Sequence, residues 1–283
     1  MMGESVTGPR QQGSPRQGQA VTLEMVEVRM ALNTEITGEW YREAFGHQYL
    51  EVYPWRNVAT AEPEACRAIE WLEAVPGDQF LDLCCGAGRH SVWLKKAGLE
   101  LISIDLSRDL LEQARLALGP EAVLIHSDVR SLPLPPASVD HVAMFFTSFG
   151  YFPTDEENMA VLKEVARVVR AGGGFLLDLP DRDSTIEGLV PSSQRCEGDL
   201  HIEEARSISD DGTRVEKQVV LRQGDSVQSY TETVRLYSFA ELNALLVASG
   251  WECSRVHGSW SGDKYLPGTS ERMILVAKRS GEV

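Results

Sequence analysis

The sequence has no dense run of lysine or arginine, few cysteines and no long apolar stretch. Its 283 residues carry 27 Lys and Arg against 42 Asp and Glu, for a net charge of −15. Such a surface repels phosphate backbones, so nucleic acid is not expected as a partner. The five cysteines match neither a disulfide framework nor a Cys-x-x-Cys metal site, which favours a reducing, cytoplasmic setting. No apolar run reaches about 18 residues, so no membrane span is predicted.

The N-terminal part of the chain divides into a polar tail and a helical segment. Residues 1–33 begin with Gly, Pro, Gln, Ser and Arg and without an apolar stretch. This composition predicts a disordered tail and not a signal peptide. Residues 34–76 are predicted to be helical, with a second helix starting at Pro63.

Short apolar runs alternate with helical patterns between residues 77 and 179. Strands are predicted at 79–85, 101–105, 122–126, 139–146 and 175–179. A helix capped by Thr154 is predicted to run to Arg170 and to stop at the three glycines 172–174. Strands and helices that alternate at this spacing indicate a parallel sheet covered on both faces.

The pattern changes after residue 184. Three longer segments, 200–207, 214–221 and 227–237, alternate apolar with polar residues and are separated by Asp-Gly and Gly-Asp turns. They predict an antiparallel meander inserted at about 184–237. A helix capped by Ser238 and two last strands, 252–257 and 273–277, are predicted to follow.

The stretch LDLCCGAGRH, residues 81–90, places Gly86-Ala87-Gly88 between a predicted strand and a predicted helix. Ligands of parallel sheets bind at this edge, where glycine lets them approach the backbone. A dinucleotide site would need a third glycine, and Ser91 stands there instead. Asp82 precedes the loop. Asp105 ends the next strand, about 20 residues further on, a distance suited to binding ribose hydroxyls.

Residues 80–179 resemble the class I S-adenosylmethionine-dependent methyltransferases. The resemblance rests on LDLCCGAGRH for the glycine motif, LISIDLS for the ribose strand, SDVRSLPL for the adenine loop, ASVDHVAMFFTSFGYF for the fourth strand and RVVRAGGGFLLDLP for the fifth. Within that family, FTSFGYF and the meander are most similar to small-molecule enzymes, including sugar N-methyltransferases. Cys84 departs from the pattern, because it stands where the family often has its first glycine.

The resemblance implies a Rossmann-like, doubly wound α/β fold with a seven-stranded sheet that ends in an antiparallel hairpin. It also implies that residues 34–283 form the methyltransferase domain and that S-adenosylmethionine is bound. The residues expected to bind this cosubstrate are Asp82, Cys84, Gly86, Ala87, Gly88, Asp105, Leu106, Asp128, Val129, Arg130, Phe145 and Tyr49.

The acceptor is expected to lie next to the segment that follows the fourth strand. Tyr151 is the candidate catalytic residue there, and its hydroxyl or its ring would face the acceptor. The residues expected to bind the acceptor are Tyr41, Phe149, Tyr151, Arg182 and Trp260. The aromatic residues Tyr41, Tyr49, Tyr53 and Trp55 could form a lid that excludes water, or could pack on the sheet edge.

Several points stay open at the level of sequence. The acceptor atom is O, N or C, and the acceptor is expected to be a small molecule. A nicotinamide-dependent oxidoreductase and a non-catalytic S-adenosylmethionine-binding protein are the alternatives. No His, Cys, Asp and Glu set has the spacing of a metal site, so no metal is expected. The meander could instead form the surface of a homodimer.

Overall fold

The computed structural model describes residues 39–46 and 48–281. The predicted tail 1–33 and the first residues of the predicted helical segment lie outside this part of the chain. The division into domains predicted from the sequence is therefore described only from Glu39 onward.

A seven-stranded sheet forms the centre of the described chain, in the order β10-β11-β5-β4-β1-β2-β3. Its strands are β1 (Gln79–Leu83), β2 (Glu100–Asp105), β3 (Val123–His126), β4 (Val139–Met144), β5 (Val169–Pro180), β10 (Trp251–His257) and β11 (Arg272–Arg279). The pairs among β1 to β5 are parallel, and β11 is antiparallel to both β5 and β10. The predicted doubly wound sheet with a final antiparallel hairpin is confirmed.

The alternation of side chains along β1 explains why both faces of the sheet are covered. Leu81 and Leu83 point into one apolar cluster, whereas Phe80 points into a second cluster on the opposite face. All three side chains are fully buried. A parallel sheet with helices on both sides requires this pattern.

The described residues also contain eight helices. They are α1 (Tyr41–Ala44), α2 (Tyr49–Val52), α3 (Val58–Leu72), α4 (Ser91–Lys96), α5 (Arg108–Leu118), α6 (Asp155–Val168), α7 (Arg182–Glu187) and α8 (Phe239–Ala248). Helix α3 begins earlier than predicted, because the Asn57 side chain accepts a hydrogen bond from the Thr60 amide and caps it. Pro63 therefore lies inside the helix and does not begin it.

The end of α6 differs from the prediction as well. The helix ends at Val168, and the three glycines 172–174 lie within β5. A Cβ atom at Gly173 would lie 2.5 Å from the carbonyl oxygen of Asp140 on β4. Glycine is required there because the two backbones approach closely, and the glycines do not serve as a helix stop.

A second, antiparallel sheet follows α7, with the order β6-β7-β8-β9. It consists of β6 (Ser192–Glu197), β7 (Leu200–Ile208), β8 (Arg214–Gln223) and β9 (Ser226–Arg235). The sequence predicted three of these strands and missed β6, because SSQRCE shows no alternation of apolar and polar residues. In the part of the chain that the structure describes, no helix combines the length and the apolar character needed to cross a bilayer.

Candidate active site

A cavity of about 780 Å³ lies at the carboxyl ends of β1, β2, β3 and β4. The loops that follow these strands form one wall. Side chains of the N-terminal helices form a second wall, and Arg206, Glu232 and Val234 of the antiparallel sheet contribute a third. The volume lies within the range of about 300–1,000 Å³ typical of small-molecule sites.

The glycine loop presents its backbone to this cavity. Cys84, Gly86 and Gly88 all adopt positive φ angles, of 64°, 55° and 78°. Cys84, which stands where the family often has its first glycine, therefore adopts a left-handed backbone conformation that glycine adopts more easily. Gly88 does not line the cavity, and a Cβ atom there would lie 3.2 Å from Cβ of Ala114, so this glycine lets α5 pack against the loop.

Asp105 lies at the end of β2 and lines the cavity beside the glycine loop. Its Oδ2 accepts a hydrogen bond from the Gly86 amide at 2.8 Å, and its Oδ1 accepts one from the Ser107 amide at 2.8 Å. Burial raises the pKa of this carboxyl, and the backbone donors oppose the shift. Each oxygen keeps a second lone pair, so the carboxylate can still accept hydrogen bonds from a ribose diol.

Asp82 does not line the cavity. It is 1% exposed, and its Oδ2 accepts a hydrogen bond from Oγ of Ser91 at 2.5 Å. Burial raises its pKa to about 7. The side chain therefore anchors the first residue of α4 beneath the glycine loop, and Ser91 provides the contact in place of a third glycine.

Asp128 and Arg130 form a bidentate pair in the loop after β3. The Arg130 side chain donates to Asp128 from Nη2 at 2.8 Å and from Nε at 3.1 Å. Burial alone would raise the pKa of Asp128, but the hydrogen bonds from Arg130 hold it below its usual value. Asp128 and Val129 line the cavity, whereas Arg130 fixes Asp128 from outside it.

Aromatic side chains in and beside α1 and α2 pack against Tyr151 at the cavity wall. The ring centroids of Trp40 and Phe45 lie 4.9 and 5.7 Å from that of Tyr151, and Tyr49 lies 5.2 Å from Phe45. Of the four residues that the sequence suggested for a lid, Tyr41 and Tyr49 line the cavity. Tyr53 and Trp55 do not line it.

Tyr151 lines the cavity and is held in the protonated state. Burial raises the pKa of its hydroxyl well above the usual value, and the neighbouring groups Tyr49, Cys84 and Glu232 raise it further. The phenol therefore stays neutral over the physiological range. It can donate a hydrogen bond, but it is not a phenolate base.

The loop after β4 is strained where it lines the cavity. Phe146 and Thr147 have φ angles of 53° and 62°, which non-glycine residues rarely adopt. The carboxylate of buried Asp178 accepts the Phe146 amide at 2.8 Å, and the Asp178 carbonyl accepts the Thr147 amide. Arg272 completes the arrangement with an ion pair to Asp178 at 2.7 Å. These contacts hold Phe149 and Tyr151, further along the loop, at the cavity wall.

Five arginines that were not predicted as site residues line the cavity: Arg42, Arg56, Arg89, Arg108 and Arg206. Arg56 and Arg89 lie beside Phe146. The guanidinium carbons of Arg56 and Arg89 lie 4.4 and 5.2 Å from the centroid of the Phe146 ring. Nη2 of Arg89 lies 3.2 Å from the Glu64 carboxylate, and Nη1 of Arg56 donates to the Tyr49 hydroxyl at 2.5 Å. The buried Nη2 of Arg89 and Nε of Arg56 both lack a hydrogen-bond partner among the described residues. Guanidinium groups suit a carboxylate such as the amino-acid end of S-adenosylmethionine. The position of Arg89 directly after the glycines was an available signal.

Two residues predicted to bind the acceptor lie away from the cavity wall. Arg182 pairs with Glu241 at 3.2 Å, because α7 turns it toward α8. Trp260 lies behind Phe145, with ring centroids 5.9 Å apart, and also stacks on Trp71. Neither side chain lines the cavity, and no pattern in the sequence indicated the direction in which they point.

Most of the predicted site residues are nevertheless brought together. Those that line the cavity are Tyr41, Tyr49, Cys84, Gly86, Ala87, Asp105, Leu106, Asp128, Val129, Phe145, Phe149 and Tyr151. Within residues 39–46 and 48–281 there is no group of three or more His, Cys, Asp and Glu side chains placed to hold a metal ion.

Comparisons with known proteins agree with this geometry. Residues 80–173 match the family described as a methyltransferase domain. The chain is 28% identical over 228 residues to a cypemycin N-terminal methyltransferase from Streptomyces sp., covering 75% of this chain and 89% of that protein. It is 28% identical over 191 residues to a dTDP-3-amino-3,4,6-trideoxy-alpha-D-glucopyranose N,N-dimethyltransferase from Streptomyces venezuelae, covering 65% and 79%.

Solved structures share the fold. An S-adenosylmethionine-dependent methyltransferase from Clostridium acetobutylicum superimposes with a TM-score of 0.70 at 18% identity, over 83% of this chain and 97% of that one. CalS10, an amino pentose methyltransferase from Micromonospora echinaspora with S-adenosylmethionine bound, gives a TM-score of 0.57 at 19% identity, over 94% and 100%. Residues 80–173 therefore form a methyltransferase domain, and the described chain shares the fold of S-adenosylmethionine-dependent methyltransferases. These similarities support S-adenosylmethionine as the cosubstrate over the nicotinamide cofactor that the sequence left as an alternative.

Proposed function

We propose that the protein transfers the methyl group of S-adenosylmethionine to a small-molecule acceptor, with an amine as the methylated group. The observation that carries the proposal is the shape of the cavity. One part of its wall offers the glycine loop, Asp105 and Asp128. Another part offers Tyr151 with the aromatic side chains of the N-terminal segment, and the antiparallel sheet forms the remaining wall. Two ligands can therefore lie side by side, each against its own set of residues.

The residues on the sheet edge fit S-adenosylmethionine. In this proposal Asp105 binds the ribose hydroxyls, Asp128 binds the adenine, and the buried Nε of Arg56, which has no partner among the described residues, donates to the carboxylate. When bound, S-adenosylmethionine supplies a methyl carbon attached to a positively charged sulfur. The protein's main contribution is to hold both partners in an orientation for attack, which can lower the barrier by about 7–11 kcal/mol.

An amine acceptor fits the protonation states at the cavity. Tyr151 is protonated, and His90, whose pKa burial lowers to about 4, stacks on Phe145 and contacts Glu64. A neutral amine attacks with its own lone pair and needs no strong base in the site. The names of two relatives, an N-terminal methyltransferase and an amino-sugar N,N-dimethyltransferase, also support nitrogen.

The test is a methyl-transfer assay with isotopically labelled S-adenosylmethionine and matched pairs of acceptors. Each pair contrasts an amine with its closest counterpart that lacks a free amine: a nucleotide-linked amino sugar with the corresponding sugar, and a dipeptide with its N-acetyl form. The proposal predicts label on amine members alone. Label on the members without a free amine, or on both members equally, would reject an amine as the acceptor group. The proposal of a small-molecule methyltransferase would still stand.

The cytoplasmic location and the homodimer stay predictions.

A further inference from the structure

Glu204 on β7 is a buried carboxylate surrounded by cations. It is 4% exposed, and its Oε2 contacts Arg206, Arg195 at 2.9 Å and Oγ of Ser193 at 3.0 Å. Nζ of Lys217 lies 4.0 Å from Oε1. Burial alone would raise the pKa of Glu204, but Lys217, Arg206 and Arg195 together hold it below its usual value. The carboxylate is therefore ionised and is balanced by three basic groups.

The same basic groups reach the N-terminal helices. Lys217 donates a hydrogen bond to the Tyr53 hydroxyl at 2.7 Å, and that hydroxyl in turn donates to Oε1 of Glu204 at 3.4 Å. Arg195 donates to the carbonyl of Val52 at 2.8 Å. Glu204 thus fixes two cations that each hold a residue at the end of α2.

Apolar contacts reinforce this attachment. The side chains of Val52 and Tyr53 are buried against the inner face of the antiparallel sheet, in a cluster with Leu200, Ile202, Val219 and Leu221. The polar contacts to Glu204 lie beside this cluster, so charge and packing act on the same short stretch of chain.

This stretch also forms part of the cavity wall. Tyr49, Leu50 and Arg56 line the cavity, and Val52 and Tyr53 lie between them in the sequence. On the sheet side, Arg206 and Glu232 line the same cavity, and Glu232 pairs with Lys217 at 2.7 Å. Residues 49–56, called here the 49–56 segment, are therefore held over the cavity from the antiparallel sheet.

We infer that Glu204 is a positioning residue that locks the 49–56 segment over the bound cosubstrate. The inference rests on the proposed function, since it takes the cavity to be the S-adenosylmethionine site. Loss of the Glu204 charge would leave Arg195, Arg206 and Lys217 with only Glu232 to balance them. The cations would then repel each other and release Val52 and Tyr53, and the segment would open more often.

The experiment measures the dissociation rate of S-adenosylhomocysteine from the full chain, by stopped-flow tryptophan fluorescence after displacement with excess S-adenosylmethionine. Glu204→Gln is expected to raise this rate at least about fivefold, because loosened contacts act mainly on dissociation. Tyr53→Phe keeps the ring but removes the hydroxyl that joins Glu204 to Lys217. It is expected to raise the rate by a smaller factor, and it carries the test if Glu204→Gln does not fold.

Two control variants separate this role from general destabilisation. Glu203→Gln changes the neighbouring residue, whose partner Arg222 lies 3.4 Å away in a partly exposed pair, and should leave the rate unchanged. Leu246→Ala removes a fully buried side chain of α8 and should lower the melting temperature without raising the rate. An unchanged rate in both Glu204→Gln and Tyr53→Phe, or an equal rise in Leu246→Ala, would overturn the inference. Failure of the wild-type chain to bind either compound would instead reject the proposed function.

Discussion

The backbone amide of Gly86 donates a hydrogen bond to Oδ2 of Asp105 at 2.8 Å. This bond joins the glycine loop after β1 to the carboxylate at the end of β2. The two features that the sequence offered as separate signals are therefore one unit of structure. The carboxylate both shapes the loop and faces the cavity.

Replacing Asp105 with Ala is expected to weaken the binding of S-adenosylmethionine by about 1–3 kcal/mol, because a charged hydrogen-bond acceptor is lost. Isothermal titration calorimetry measures the change. The matched control is Glu112→Gln, an exposed acid on α5, which should bind as the wild type does. Equal affinity of Asp105→Ala and the control would contradict the ribose assignment.

Replacing Tyr151 with Phe is expected to lower kcat at least about tenfold, because loss of a positioning contact misaligns the acceptor. The dissociation constant of S-adenosylmethionine should stay within about twofold, since the ring that packs 4.9 Å from Trp40 is retained. The labelled-methyl assay and calorimetry give the two numbers. If only cosubstrate affinity changes, Tyr151 does not lie on the acceptor side.

The raised pKa of Asp82 predicts an effect of pH on stability. Its folded pKa, about 7, lies above the usual value of 3.8, so the folded state binds the extra proton. The contribution is fully present below about pH 4 and is lost as pH rises to about 7, by at most about 1.4 kcal/mol per pH unit. Denaturant unfolding of wild type and Asp82→Asn across this range tests it. The wild type should lose stability relative to the variant as pH rises, and a constant difference would refute the shift.

The ion pair between Arg272 and Asp178 predicts a large cost when one partner is removed. Arg272→Met leaves the Asp178 carboxylate buried without its cation, so the free energy of unfolding should fall by about 3–5 kcal/mol. Arg255→Met is the matched control, because its pair with Glu73 is exposed and should contribute about 1 kcal/mol or less. Similar losses in the two variants would show that the buried pair does not hold the loop after β4.

Sequence reasoning succeeded where local order along the chain determines position. Gly86 and Asp128 follow β1 and β3, and Asp105 is the last residue of β2. The carboxyl ends of parallel strands meet at one edge of the sheet. Their convergence on the cavity could therefore be predicted without knowledge of the packing. The same reasoning predicted Phe149 and Tyr151 at the substrate edge, and both residues line the cavity.

It failed where the direction of a side chain decides the role. Asp82 and Arg130 are adjacent to the site in sequence but point to Ser91 and Asp128 instead of the cavity. Arg206 and Glu232 reach the cavity only because the antiparallel sheet docks beside it, which no local pattern encodes. Arg56 lies between α2 and α3, and it was missed because no local pattern indicates that its side chain points toward the cavity.

The central claim, that this cavity binds S-adenosylmethionine, is tested most directly by isothermal titration of the purified chain with S-adenosylmethionine, S-adenosylhomocysteine and NAD. Micromolar binding of the first two compounds and none of NAD is the predicted result. Binding of NAD alone, or of none of the three, would contradict the assignment of the glycine loop and Asp105.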